Sequence, residues 1–240
     1  MKKILFFLTM TLFLTKVLNA QPILIFAQIA ETPDQMIGAE ILKVAYGKIG
    51  ISIKMVDMPG KRALTQSSQG KVDGEVHRII EVEDAYPTLI RVPTPINYIE
   101  PSVFAKHYNF KITNCAALKK YNVGIVRGVK HAELCTKGMN NVHTFNFSTK
   151  MMELLDAKRI DIAITARING LLLSKKMGMP SIHPLSPPLS KKMVYHYVHE
   201  KHKALVSKIN KVFIEMKKSG ELEMLRKKAI KTLLKNAESK

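Results

Sequence analysis

The sequence predicts an α/β protein built from two similar units. Three observations carry that prediction. Short apolar runs that read as strands alternate with segments that read as helices, the pattern of a mostly parallel sheet flanked by helices. The same element order starts again after residue 110, with no repeat of the sequence itself. The composition is that of a folded chain: of 240 residues, 46% are hydrophobic and 24% charged, which excludes disordered and collagen-like classes. The length fits one large domain or two lobes of about 100 residues. Either can bury a core without metal or disulfide staples.

The first unit begins at residues 22–28 (PILIFAQ), an apolar run that reads as a buried strand. Thr32-Pro33-Asp34 then starts a helix, with Thr32 as cap and Pro33 in the first turn. That helix carries Ile37, Ile41, Leu42, Val44 and Ala45, and stops near Gly47 or Gly50. Residues 51–56 alternate as a strand, 59–69 form a helix closed by Gly70, and 72–78 (VDGEVHR) form a strand ending in charge. A further strand covers 89–92. In the second unit, 122–126 is a strand, Gly128 turns into a helix holding His131 to Cys135, and 142–147 is a strand. Ser148 caps a helix over 151–155. A strand at 160–165, a helix at 169–177 and a strand at 181–185 follow. Residues 193–198 return as a strand before two terminal helices, whose apolar positions are Leu205, Ile209, Val212, Phe213 and Met216, then Leu222, Leu225, Ala229 and Leu233. Extended stretches near 103–110 and 192–198 join the units.

Ahead of these elements lies a leader. Met1-Lys2-Lys3 is followed by a twelve-residue apolar run (ILFFLTMTLFLT), then Lys16 and a small residue at Ala20. This is the order of a secretory signal peptide, cleaved near Ala20. The run is too short for a membrane span, which takes about 20 apolar residues; an uncleaved amphipathic anchor is the alternative. Export to the periplasm is expected. Cys115 and Cys135, the only two cysteines, then read as one disulfide, with two separate buried thiols as the alternative. They make a poor zinc set, so no metal and no cofactor is expected.

The formal charge is +19, and removing the leader's Lys2, Lys3 and Lys16 leaves +16. Residues 201–240 hold twelve Lys/Arg against four Asp/Glu, so half of that excess lies in the last forty residues. No nucleic-acid motif accompanies it, so no nucleic acid is expected as partner. The bland reading is two helices with solvated basic faces; an anionic membrane surface is the sharper one.

Two α/β units with two crossings have a functional consequence. Ligands bind at the carboxyl ends of parallel strands, and two such crevices facing each other make a cleft that closes about a hinge. The order of four stretches extends this reading. They are Gly70-Lys71-Val72-Asp73-Gly74, then Tyr121-Asn122-Val123-Gly124-Ile125-Val126-Arg127-Gly128, then Leu155-Asp156-Ala157-Lys158-Arg159-Ile160-Asp161, and last Met216-Lys217-Lys218-Ser219-Gly220-Glu221-Leu222. With them the chain resembles, over residues 21–240, bacterial extracellular solute-binding proteins of family 3. The resemblance implies a two-lobed type II periplasmic-binding-protein fold with a hinge and inter-lobe cleft. Lobe 1 is expected at 21–103 and 193–240, and lobe 2 at 104–192. It also implies a monomer that carries a small solute to the permease of an ABC transporter. A ligand-sensing module working through a membrane sensor, and a dehydratase-like enzyme, are the alternatives on the same fold.

The chain departs from the family where amino acids are held. Many members carry an Arg that clamps the ligand's carboxylate; here that region reads Glu83-Asp84-Ala85-Tyr86-Pro87. They also place an Asp against the α-amino group, where this chain has Ala166. The expected solute is therefore anionic or zwitterionic, amino-acid-like or an organic acid. Arg78, at the carboxyl end of a strand, is the candidate anion clamp, since a guanidinium fork binds carboxylate bidentately; a surface ion pair with Glu81 or Asp84 is the alternative. Glu75 and His77 alternate about Val76 and so point to the opposite face. Arg127 and Gly128 follow a strand and open a helix, a second anion anchor; a plain turn glycine with a surface Arg is the alternative. Thr165 and Arg167 flank Ala166, and one or the other sets selectivity. Glu31 sits at the cleft edge, and Tyr98 is an aromatic wall, with core or hinge packing as the alternative. No catalytic motif is present; if the chain were an enzyme, Glu75 or His77 would be its acid or base.

Overall fold

The computed structural model describes residues 23–238. The leader predicted at 1–20 lies outside the described residues. In chain order the elements of the first half are β1 (Leu24–Ile29), α1 (Pro33–Gly47), β2 (Ile53–Met58), α2 (Gly60–Ser68), β3 (Gly74–Arg78), β4 (Leu89–Arg91), β5 (Asn97–Ile99) and β6 (Pro101–Ala105). The second half holds β7 (Val123–Val126), α3 (Lys130–Cys135), β8 (Val142–Phe145), α4 (Ser148–Asp156), β9 (Ile162–Ala166), α5 (Arg167–Lys176), β10 (His183–Pro184), β11 (Lys192–His199), α6 (Leu205–Lys218) and α7 (Glu221–Glu238).

The strands form two sheets with one plan. The first has the order β2-β1-β3-β11-β4, with β5 also on β11; the second has β10-β6-β9-β7-β8. In each, a central strand has parallel neighbours on both sides: β1 between β2 and β3, and β7 between β8 and β9. Each also takes one antiparallel strand from a crossing segment. β6 pairs with β9, and β11 pairs with β3. The expected lobe-1 span to residue 103 thus includes Pro101–Val103, whose backbone pairs in the second sheet. The chain crosses at Glu100 instead, because β5 ends there. On the way back, Lys192–Val194 pair with β5 and Leu189 N–H donates to the Pro101 carbonyl, so two extended strands lie side by side between the lobes.

Each sheet is covered on both faces, as a parallel sheet requires. In lobe 1, Phe26, Val76 and Val198 meet Ile37, Ile41 and Tyr46 of α1 and Phe213 and Met216 of α6. The other face takes Ala63 of α2 against Ala27. In lobe 2, Val103, Val123 and Ile162 lie on one face with Leu118 and Ala132, while Phe104, Met151, Leu155 and Leu173 fill the other. Cys115 and Cys135 are bonded, with Cα atoms 5.3 Å apart, and tie the turn before β7 to the end of α3. The predicted strand at 181–185 shrinks to the two residues of β10. Pro184, Pro187 and Pro188 offer no N–H to continue a ladder. Ser148 is not a side-chain cap but the first helical residue of α4.

Candidate functional site

Four helices begin beside the same gap between the lobes, each placed there by the strand that precedes it. β1 leads into α1 and brings Thr32, Asp34 and Gln35; β7 leads into α3 and brings Lys130 and His131; β8 leads into α4 and brings Ser148; β9 leads into α5 and brings Thr165 and Asn169. β3 ends there with His77 and Arg78, and Ile99 and Val194 of the crossing strands form the floor. These residues enclose a cavity of about 40 Å³. That is room for a few waters, far below the 300–1,000 Å³ of a small-molecule pocket.

The lobes are closed on one another. Asp34 N–H donates to Asn169 Oδ1 at 2.8 Å, and Asn169 Nδ2 donates back to Asp34 Oδ1. At the rim, the Thr149 hydroxyl donates to Glu31 Oε2. Arg78 Nη1 donates across the gap to the Gly128 carbonyl at 3.0 Å. Beside it the two backbones meet directly. A Cβ on Gly128 would lie 2.2 Å from Lys61 N, and one on Gly60 would lie 2.8 Å from the Arg127 carbonyl oxygen. Gly128 also has φ = +83°, a region that favours glycine.

Arg78 is buried, at 5% exposure, and its charge is matched within its own lobe. Nε and Nη2 lie 2.9 and 2.8 Å from Glu75 Oε2, and Nη2 also donates to the Gly60 carbonyl. Glu75 is fully buried; Ser67 Oγ donates to its second oxygen. Burial raises the Glu75 carboxyl above its ordinary value against the pull of Arg78 and Ser67. The sequence reading set Glu75 and Arg78 on opposite faces of the strand. The structure joins them, because β3 ends at Arg78 and the long guanidinium arm folds back.

Asp34 differs. Its carboxylate has an amide partner and no cation on it. Burial pushes it up to about 6, against the hydrogen bond from Asn169 and the more distant charge of Arg78. His77 Nε2 lies 3.3 Å from Asp34 Oδ2, but burial and the neighbouring Arg78 push the ring down to about 3, so it is neutral near pH 7. His131 is pushed down to about 4 by burial and by Lys192. Among the described residues, Nδ1 of His77, Nε2 of His131 and Oε1 of Gln35 are buried without a hydrogen-bond partner. All three residues line the cavity.

Of the residues named from sequence, Arg78 and Thr165 line the cavity, and Gly128 reaches it through its carbonyl. Glu31 lies at the rim. Arg127 is exposed, with its guanidinium 3.3 Å from the Thr144 hydroxyl. Arg167 opens α5 with its N–H on the Glu100 carbonyl and is not part of the lining. Tyr98 sits away from the lining, between Lys191 Nζ and the Arg226 guanidinium, each 4.1 Å from its ring centre. Asp34, Gln35, His131, Ser148 and Asn169 were not singled out. Their shared signal is position: each lies within the first turn of a helix that follows a parallel strand. No group of three metal-ligating side chains occurs among the described residues.

No protein-family model matches the sequence, and no curated protein matches it significantly. Solved structures do match the fold. A histidine kinase sensor domain with similarity to periplasmic binding proteins aligns at TM-score 0.75 and 16% identity, over 87% of this chain and 95% of that one. An ancestral arginine-binding protein bound to arginine aligns at 0.73 and 20%, over 85% and 96%. An amino acid ABC transporter substrate-binding protein from Streptococcus pneumoniae, bound to L-arginine, aligns at 0.73 and 16%, over 88% and 95%. The chain therefore has the two-lobed periplasmic-binding fold.

Proposed function

We propose that this chain is an exported solute-binding protein, a monomeric trap whose lobes close on one small zwitterionic, amine-bearing solute. The observation that carries this reading is the set of buried polar atoms left without partners around one inter-lobe cavity. Each such atom costs about 1–3 kcal/mol when kept from water. A solute held between the lobes relieves that cost. The closed cavity is too small to admit one, so the lobes part and reclose about the paired crossing strands.

The charges indicate which solute. Arg78 is already neutralised by Glu75, whereas Asp34 is a buried carboxylate with no cation on it. An ammonium group beside Asp34 supplies the missing charge. A carboxylate on the same solute takes the Arg78 Nη1 donor that the Gly128 carbonyl holds in the closed arrangement. Thr165 and Ser148 offer hydroxyls for selectivity. Neither Glu75 nor His77 is placed for acid–base chemistry: Glu75 is sealed behind Arg78, and a histidine pushed to about 3 is a poor acid or base near neutral pH.

The solved neighbours named as amino-acid substrate-binding proteins support the permease of an ABC transporter as the partner, and the periplasm as the place of work. The neighbour named as a histidine kinase sensor domain favours a second reading, in which the closed form signals to a membrane sensor. Loss of solute uptake in cells lacking the protein separates the two.

A thermal-shift screen against amino acids, simple amines and organic acids tests the binding reading. A solute at about 100 times its dissociation constant stabilises by about 2.7 kcal/mol. Stabilising compounds carry an amine, and Asp34→Asn abolishes the shift. Nitrogen-free organic acids that stabilise both proteins equally overturn the assignment of the site.

A further inference from the structure

The cleft makes no use of the basic C-terminal helix. Between Met224 and Ala237, α7 has five cationic residues and no acid. Its inner side is accounted for. Leu222 and Ala229 are buried in the lobe-1 core, with Leu225, Ile230 and Leu233 packed against it. Arg226 also turns inward, onto Asn97 Oδ1 and the Tyr98 ring. The opposite side carries Met224, Lys227, Lys228, Lys231, Leu234 and Lys235, all exposed. At 3.6 residues per turn these fall on one outward stripe.

That stripe is not what helix stability alone would select. Lys227, Lys231 and Lys235 follow one another at four-residue spacing, and like charges at that spacing destabilise a helix. Among the described residues, only Lys227 of these lysines reaches an acid, Glu223 at 4.0 Å, on the margin of the face. Two large apolar side chains share the stripe: Met224 is 58% exposed and Leu234 39%. Lysines interleaved with exposed apolar residues on one helix face suit the boundary between anionic headgroups and acyl chains. The helix is not apolar enough to cross a membrane. Nucleic acid is less suited to this face. Its cations are all lysines, which act as point charges without the planar fork that reads phosphate and base edges, and the apolar pair has no role there.

We propose that the outward face of α7 docks the protein on the surface of an anionic phospholipid bilayer. The lysines meet the phosphates, and Met224 and Leu234 enter the headgroup layer. This surface is separate from the cleft, and the proposal stands whatever the solute. Docking confines the trap to the plane where any membrane partner is found.

The test is co-sedimentation of the purified protein with vesicles of phosphatidylcholine alone and of phosphatidylcholine mixed with phosphatidylglycerol. Binding to the mixed vesicles only, weakened by added salt, is expected. At about fivefold per lysine near the surface, Lys227→Gln/Lys231→Gln/Lys235→Gln should lower vesicle affinity by about a hundredfold. The substituted side chains are exposed, so the fold, checked by circular dichroism, is retained. Met224→Ser/Leu234→Ser should lower affinity further. Equal binding to both vesicle types, or no loss in the lysine variant, overturns the proposal. So does binding to a duplex oligonucleotide, lost in the lysine variant, with no binding to vesicles.

Discussion

Arg78 holds the lobe-1 wall together through contacts of its own. Its guanidinium satisfies Glu75 and the Gly60 carbonyl within lobe 1, and only one arm reaches across to Gly128. Removing it leaves a fully buried carboxylate without its charge partner. Arg78→Ala should therefore cost about 3–5 kcal/mol of stability, as broken buried ion pairs do. Urea unfolding measures this, and a loss below 1 kcal/mol would mean that the pair is solvated. Asp34 is the contrasting residue. Its partner Asn169 is neutral and belongs to the other lobe, so it contributes to closure and leaves a negative charge to be matched. Asp34 lines the cleft and Glu75 lies behind Arg78, and they do different work because one has an amide beside it and the other a guanidinium.

At the scale of elements, the closing surfaces are two glycines on facing turns. Gly60 opens α2 and Gly128 precedes α3, and their backbones touch. Gly60→Ala places a methyl group 2.8 Å from the Arg127 carbonyl oxygen, at a helical residue with no conformational demand for glycine. The lobes should then stop short of full closure. Solute affinity falls at least tenfold while thermal stability without solute changes little; calorimetric titration and thermal melts read the two separately. The disulfide is the other element-scale device. It closes a loop of 20 residues in lobe 2 and should contribute about 3 kcal/mol, lost on reduction and visible as a lower unfolding midpoint. Most strands and helices were legible from apolar periodicity, since buried parallel strands such as Ile162–Ala166 are near-continuous apolar runs. The three-residue β5 was missed because its pairing depends on β11, nearly a hundred residues away. The cleft was only partly legible. Arg78 and Thr165 are polar residues at the carboxyl ends of strands and announce themselves. Asp34 and Asn169 look like ordinary first-turn residues, and only the closed lobes bring them together.

At the scale of the molecule, one plan is used twice, and each lobe lends a strand position to the chain as it passes. That exchange leaves two adjacent extended strands as the link, and the proposed opening is a rotation about them. The central claim is that this opening admits an amine that settles on Asp34. Proton linkage tests it most directly. A carboxyl pushed up to about 6 must lose its proton before it can hold an ammonium group. His77 and His131, pushed down to about 3 and about 4, stay neutral through the same range. The measurement is the affinity of the amine-bearing solute by calorimetric titration from about pH 5 to pH 7.5, in the native protein and in Asp34→Asn. Affinity should fall by about tenfold per unit below pH 6 and level off above it, with the variant weak and flat throughout. A native affinity that ignores pH across this range, or an Asp34→Asn variant that binds as tightly as the native protein, would contradict the account.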